Sequence, residues 1–187
     1  MPAKAEKRDL VRYWPYALAA AVALADRASK HIVETRLAPW DAIRIIPGCF
    51  QIVSTRNTGI AFSLFDNPAA GRTSPILIAF TIGVLAMVAW LLWQAIRPDP
   101  VAGEAAHWSY RAALALVLGG AAGNLYDRLV SGTVTDFLDF YWGTAHFPVF
   151  NVADSAITCG AILKMCIRDS RRCVPAPPRN FVRMTTE

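Results

Sequence analysis

Residues 75–96 read PILIAFTIGVLAMVAWLLWQAI, a run without a single charged side chain. Its length is close to the ~20 residues an α-helix needs to cross the hydrocarbon core of a bilayer. Three further apolar stretches lie outward of it, from about Tyr13 to Ala28, Tyr110 to Leu129 and Phe147 to Ile167. Four crossings follow from that count. Trp14, Trp90, Trp93, Trp108 and Tyr110 fall near the ends of these stretches, where amphipathic rings favour the headgroup region. The composition agrees, since 55% of the 187 residues are hydrophobic and only 18% are charged, too apolar for an ordinary soluble domain. The predicted class is an all-α membrane protein with four transmembrane helices.

The basic residues set an orientation. Lys4, Lys7, Arg8 and Arg12 precede the first stretch, while Arg168, Arg171, Arg172, Arg179 and Arg183 follow the last, so both ends are predicted to be cytoplasmic. The connection from Val130 to His146 holds no Lys or Arg and is placed outside. The connection from His31 to Ser74 carries Arg36, Arg44, Arg56 and Arg72, yet four crossings put it outside too. Within it, Ala42 to Ile46 and Phe50 to Ser54 are β-prone and separated by the turn signal Pro47-Gly48. A small extracytoplasmic β-sheet is therefore expected between spans 1 and 2. The apolar run Ile60 to Phe65 is too short to span and reads either as a segment on the membrane surface or as a packed external loop.

Several function classes drop out. The formal charge of +5 does not gather into the single basic face that a nucleic-acid binder shows, so no nucleic acid partner is expected. Cys49, Cys159, Cys166 and Cys173 form no CxxC pair, the histidines His31, His107 and His146 are scattered, and no HExxH occurs. No metal or other cofactor is expected. A leader-peptide reading of the first stretch draws on Lys4, Lys7 and Arg8 before a core ending in Ala23-Leu24-Ala25. It loses weight because Asp26, Ser29 and Lys30, just beyond, belong to a motif.

Ionisable groups inside or at the ends of spans are costly, ~2.5 to 3.5 kcal/mol near a helix centre on insertion scales, and each needs a reason. Asp26 and Lys30 are four apart, on one helix face, where they pair or close a helix end. Asn124, Asp127 and Arg128 end the third stretch, and Asp127 and Arg128, as neighbours, point apart and need other partners. Asn151 and Asp154 open the fourth on one face. No Lys or Arg lies between Asp136 and Asp154. Brought together, two such carboxylates share a proton, one acting as base toward a water while the other protonates a carbonyl. A proton relay or an ion path would call for the same acids.

The runs Asp26-Arg27-Ala28-Ser29-Lys30, Asn57-Thr58-Gly59-Ile60-Ala61-Phe62, Gly119 to Arg128, Val134-Thr135-Asp136-Phe137 and Phe150-Asn151-Val152-Ala153-Asp154-Ser155 resemble, in order, the motifs of lipoprotein signal peptidase, or signal peptidase II. The resemblance implies a bacterial inner-membrane aspartic endopeptidase that acts on a lipidated prolipoprotein substrate, cleaving before the diacylglyceryl-modified cysteine. It implies Asp136 and Asp154 as the catalytic pair. Asp26, Lys30, Asn57, Gly59, Asn124, Asp127, Arg128 and Asn151 are then the residues that bind substrate or support the site. It further implies a monomer working in membrane lipid, with an external sheet cradling the substrate and the segment after Asn57 covering it. The glycines Gly119, Gly120 and Gly123 read as helix-packing positions, and no P-loop Lys-Ser or Lys-Thr follows them.

Residues 1–170 are expected to form one integral-membrane domain, and 171–187 a basic, Pro-containing tail. One departure from the resemblance is Lys164, Arg168, Asp169, Arg171 and Arg172, which shorten the apolar core of the fourth span. Either Lys164 snorkels and the membrane thins around a short span, or the chain from about Lys164 onward is not the native end of that span, the second reading being slightly favoured. The rival classes are a proton-coupled transporter or channel, which would show broken or repeated spans, and a non-catalytic assembly protein, which would tolerate Asp136→Asn. A serine peptidase is disfavoured, since no GxSxG occurs and Ser29 and Lys30 point apart on a helix.

Overall fold

The computed structural model describes residues 12–39, 41–59, 72–97 and 108–172, with side chains as far as 166. The surface segment expected at 60–65, the connection 98–107 and the tail from 173 lie outside the described residues. The described chain forms four helices and a small antiparallel sheet, in the order α1 (Trp14–Arg36), β1 (Ala42–Ile46), β2 (Phe50–Asn57), α2 (Pro75–Ile96), α3 (Trp108–Val130), β3 (Val134–Trp142), β4 (Ala145–His146) and α4 (Val152–Arg172).

Pro15 and Pro75 sit in the first turns of α1 and α2, where a missing N–H costs nothing and the fixed φ suits the helix. Helix α2 carries no charged side chain and so has no basic residue in its last turn. Its terminal carbonyls are closed from outside: Arg12 Nε donates to Ile96 O at 2.8 Å and Arg111 Nε to Ala95 O at 3.0 Å. The same two side chains tie the start of α1 and the start of α3 to the end of α2. Among the described residues, α2 is the one helix long and apolar enough by length and composition to cross a membrane.

Helix α3 is the central element and packs against the other three. Toward α2 the contact is apolar, with Val88, Leu92, Ala95, Ile96 and Leu114 at its centre. Toward α1 and α4 it is backbone-close. A Cβ on Gly119 would run into the carbonyl oxygen of Ala19, and one on Gly120 into that of Ala153. Small residues at these positions let helices approach until their backbones touch.

The sheet order is β1-β2-β3-β4, antiparallel throughout. The Pro47-Gly48 turn lies between β1 and β2 as its residues suggest, with Gly48 at φ 82°. The sequence reading drew the sheet only from the connection between α1 and α2, whereas β3 and β4 come from the connection between α3 and α4. Val134–Trp142 is rich in Val, Thr and aromatic residues, but Asp136 and Asp139 interrupt it, and Asp is depleted in strands. Two helix boundaries differ for related reasons. Helix α1 runs two turns past Ala28 because its polar residues find partners inside the protein. Helix α4 starts at Val152, not Phe147, because Phe147 and Phe150 bond to β3 through Phe140 O and Leu138 O at 2.8 and 3.1 Å.

Candidate active site

The site is built where the first turn of α4 meets β3 and the end of α3. Asn151 caps α4: its Oδ1 accepts the backbone N–H of Asp154 at 2.9 Å, and Asp154 Oδ2 accepts that of Asn151 at 3.3 Å. This is a reciprocal capping box, with an acidic side chain three residues past the cap, and it fixes the Asp154 rotamer at the positive end of a helix. The next free N–H of that turn, from Ala153, goes to Asp26 Oδ1 at 2.9 Å, so α1 caps α4 as well.

Asp136 comes from β3 and is 4% exposed. Its position depends on a bulge. Ile52 pairs with Leu138, but Thr55 pairs with Asp136, so β2 carries one extra residue between them. A one-residue slip exchanges the faces of a strand, and here it puts Asn57, two residues beyond Thr55, on the same face as Asp136. Asn57 Nδ2 then donates to Asp136 Oδ2 at 3.0 Å, while Thr55 Oγ1 donates to the backbone O of Asp136, also at 3.0 Å.

Two amides join the carboxylates. Asn151 Nδ2 donates to Asp136 Oδ1 at 2.7 Å and to Asn124 Oδ1 at 3.2 Å. Asn124 Nδ2 donates to Asp154 Oδ1 at 2.8 Å. Neither carboxylate forms an ion pair among the described residues. Burial pushes the Asp136 carboxyl up to about 6; the Asn57 and Asn151 hydrogen bonds pull it down, and the charge of Asp154 pushes it further up.

Beneath this cluster lies a second one. Lys30, with 0% exposure, has its Nζ 2.7 Å from Asp26 Oδ2, 2.7 Å from Asp127 Oδ2 and 2.9 Å from Asn124 Oδ1. Two ion pairs and one hydrogen bond thus surround the ammonium. The two aspartates against one lysine leave a negative charge, which Arg27, 3.6 Å from Asp127, offsets. Gly123 makes the space for this cluster, since a Cβ there would stand 2.6 Å from Asp26 Oδ2. Arg128, adjacent to Asp127, points elsewhere: its Nη2 donates to Gly59 O at 3.1 Å, and Gly59 N donates to Asn57 Oδ1 at 2.9 Å. It lies within electrostatic range of Asp154 and Asp136. Beside it a cleft of about 450 Å³ is lined by Arg72, Ser74, Ile78 and Leu129.

All ten residues singled out in the sequence stand in or next to these two clusters. Asn124 is the joint between them, a role its place in a Gly-rich run does not reveal. Thr55, Arg27, Glu34 and Thr135 were not singled out. Thr55 would have needed the bulge to be known, and Glu34 and Thr135, hydrogen bonded at 2.7 Å, are far apart in the chain.

The profile of the family described as Signal peptidase (SPase) II matches residues 18–168. A lipoprotein signal peptidase of Solibacter usitatus is 40% identical over 153 residues, covering 82% of this chain and 88% of that protein. One of Geobacter metallireducens is 40% identical over 163 residues, covering 86% and 94%. A solved bacterial membrane enzyme is similar at TM-score 0.67 and 26% identity, over 88% of this chain and 94% of the other. A second reaches TM-score 0.63 at 28% identity, over 82% and 91%. With the profile spanning most of the chain and relatives of this similarity, the chain belongs to the signal peptidase II family, a family of membrane proteases that remove signal peptides from prolipoproteins.

Proposed function

We propose that this chain is an intramembrane aspartyl endopeptidase that removes signal peptides from diacylglyceryl-modified prolipoproteins, cutting before the lipidated cysteine. The observation that carries the reading is that Asp136 and Asp154, from a strand and a helix, are joined by a relay of two amides, Asn151 bonding Asp136 and Asn124, and Asn124 bonding Asp154. In this reading the two carboxylates divide the roles of general base and general acid. One takes a proton from a water that attacks the scissile carbonyl, and the other gives its proton to the carbonyl oxygen. Collapse of the tetrahedral intermediate then breaks the C–N bond and protonates the leaving amine.

The membrane setting is part of the proposal. The four helices have 23, 22, 23 and 21 residues, enough to cross with some tilt. Their polar side chains turn inward at Asp26, Lys30, Asn124, Asp127 and Asn151, while Leu24, Ile76, Phe80, Trp90 and Ile162 face out. That inside-out distribution suits lipid. In this reading the chain is a monomer that crosses the bacterial cytoplasmic membrane four times, with both termini cytoplasmic and the site toward the outer face. The cleft beside Arg128, with Ile78 and Leu129 in its wall, suits acyl chains arriving from the bilayer.

The test is a gel-shift assay on a synthetic diacylated precursor. Asp136→Asn and Asp154→Asn are each expected to lose at least about 100-fold in rate, the lower range for general acid–base groups, with helicity unchanged by circular dichroism. Chelators are expected to leave the parent rate unchanged. Cleavage at the parent rate by either variant removes the dyad from the mechanism.

A further inference from the structure

The amide cluster around Asp136 and Asp154 leaves a second network, on the side of β3 that faces α1, without a role. Thr135 is 5% exposed, and its hydroxyl donates to Glu34 Oε1 at 2.7 Å. Adjacent strand residues point to opposite faces, so this bond holds one face of β3 while Asp136 projects from the other. A strand pinned on one face at a single residue fixes the direction of the next side chain.

Glu34 is itself held. Arg27, seven residues earlier on α1, donates Nη2 to Oε2 at 3.2 Å and Nη1 to Oε1 at 3.4 Å. Arg27 also stands 3.6 Å from Asp127 and lies over the Tyr126 ring at 5.7 Å, which anchors it on α3. Arg56, opposite Thr135 in the β2–β3 ladder, adds a second positive charge near Glu34. From Asp127 the contacts continue through Lys30 and Asn124 to Asp154, at 2.7, 2.9 and 2.8 Å. A single path of short contacts therefore runs from the residue before one carboxylate, through α1 and α3, to the other carboxylate.

The geometry points to Glu34, clamped by Arg27, as a positioning residue that sets Asp136 through Thr135. This inference rests on the aspartyl peptidase reading above. The pair is poorly placed to serve global stability: the side chains of Arg27 and Glu34 are 37% and 26% exposed, and an ion pair so exposed contributes little. What it supplies is the orientation of β3 against α1.

The experiment compares Glu34→Ala, Thr135→Val, their double variant and Thr135→Ser, all as full chains in detergent micelles. On the diacylated precursor, Glu34→Ala and Thr135→Val are each expected to lose about tenfold to a hundredfold in kcat, with KM within about twofold of the parent. The double variant is expected to be no worse than the poorer single one, because both break the same link. Thr135→Ser, which keeps the hydroxyl, is expected to restore the parent rate. A second readout needs no activity: infrared titration of the Asp136 carboxyl band, assigned by its absence in Asp136→Asn. Its midpoint is expected to move by about half a pH unit or more in Glu34→Ala and Thr135→Val, and to stay in Thr135→Ser. Parent kcat in Glu34→Ala, losses that multiply in the double variant, or an unmoved midpoint in either single variant overturns the inference. A parent that cleaves nothing overturns the peptidase reading instead, and the infrared arm still decides whether Glu34 positions Asp136.

Discussion

At the residue scale the decisive group is Asp136, whose carboxyl is raised from an ordinary 3.8 to about 6 chiefly by burial. The neutral form is therefore favoured in the folded chain, and its contribution to stability is fully present below about pH 4 and lost as pH rises through about 6. The size is about 3 kcal/mol, at 1.36 kcal/mol per pH unit. Asp136→Asn, a neutral isostere, is expected to melt higher than the parent above pH 6, with the gap closing below pH 4. Tm measured in micelles across that range checks it, and identical pH profiles for the two proteins would count against a raised carboxyl. The hydrogen bond from Asn57 favours the charged form. Asn57→Ala should accordingly move the alkaline limb of the cleavage profile upward, and a downward or absent shift would sever Asn57 from the dyad. The identities of these residues were readable from the chain, because acids and amides in apolar stretches demand a partner. Their pairing was not, since Asn57 and Asp136 meet only through the ladder of β2 and β3.

Elements carry the next layer. Helices α1, α2 and α3 follow from apolar stretches, α1 and α2 with proline near their starts, and the β1–β2 hairpin from Pro47-Gly48, all of them local signals. Strand β3 was missed because Asp136 and Asp139 disguise it, and its place in the sheet comes from β2 on one side and Phe150 on the other. The Gly-rich run of α3 has consequences that a single substitution exposes. Gly120→Ala drives a methyl into the Ala153 carbonyl in the first turn of α4, the turn that presents Asp154. A loss of about 1 to 3 kcal/mol is expected from the enforced separation. Gly83→Ala on α2 meets nothing within 4 Å, and is expected to be neutral or up to about 1 kcal/mol stabilising through helix propensity. Thermal denaturation of the two variants side by side distinguishes them. Equal effects would mean that α3 and α4 do not need their close approach.

At the scale of the whole molecule, the end opposite the sheet gathers Arg12, Arg97 and Arg111 around the close of α2, with Arg97 lying over Trp93 at 3.3 Å. Basic residues at that end support the proposed orientation, cytoplasmic there and external at the sheet. Single-cysteine variants in a background lacking the native cysteines test it: Thr144→Cys, in the β3–β4 turn, should react with an impermeant maleimide in intact cells, and Ser109→Cys only after permeabilisation. The reverse pattern would invert the topology. The sequence by itself determined the solvent-facing logic of the chain, its helical stretches and the short roster of polar residues that had to find one another, because periodicity, hydropathy and capping are properties of neighbours. Only the tertiary structure decided that β3 joins the sheet, that an extra residue in β2 turns Asn57 toward Asp136, and that Asn124 links the buried ion cluster to Asp154. Each of those depends on contacts between segments distant in the chain, whose register no local pattern encodes.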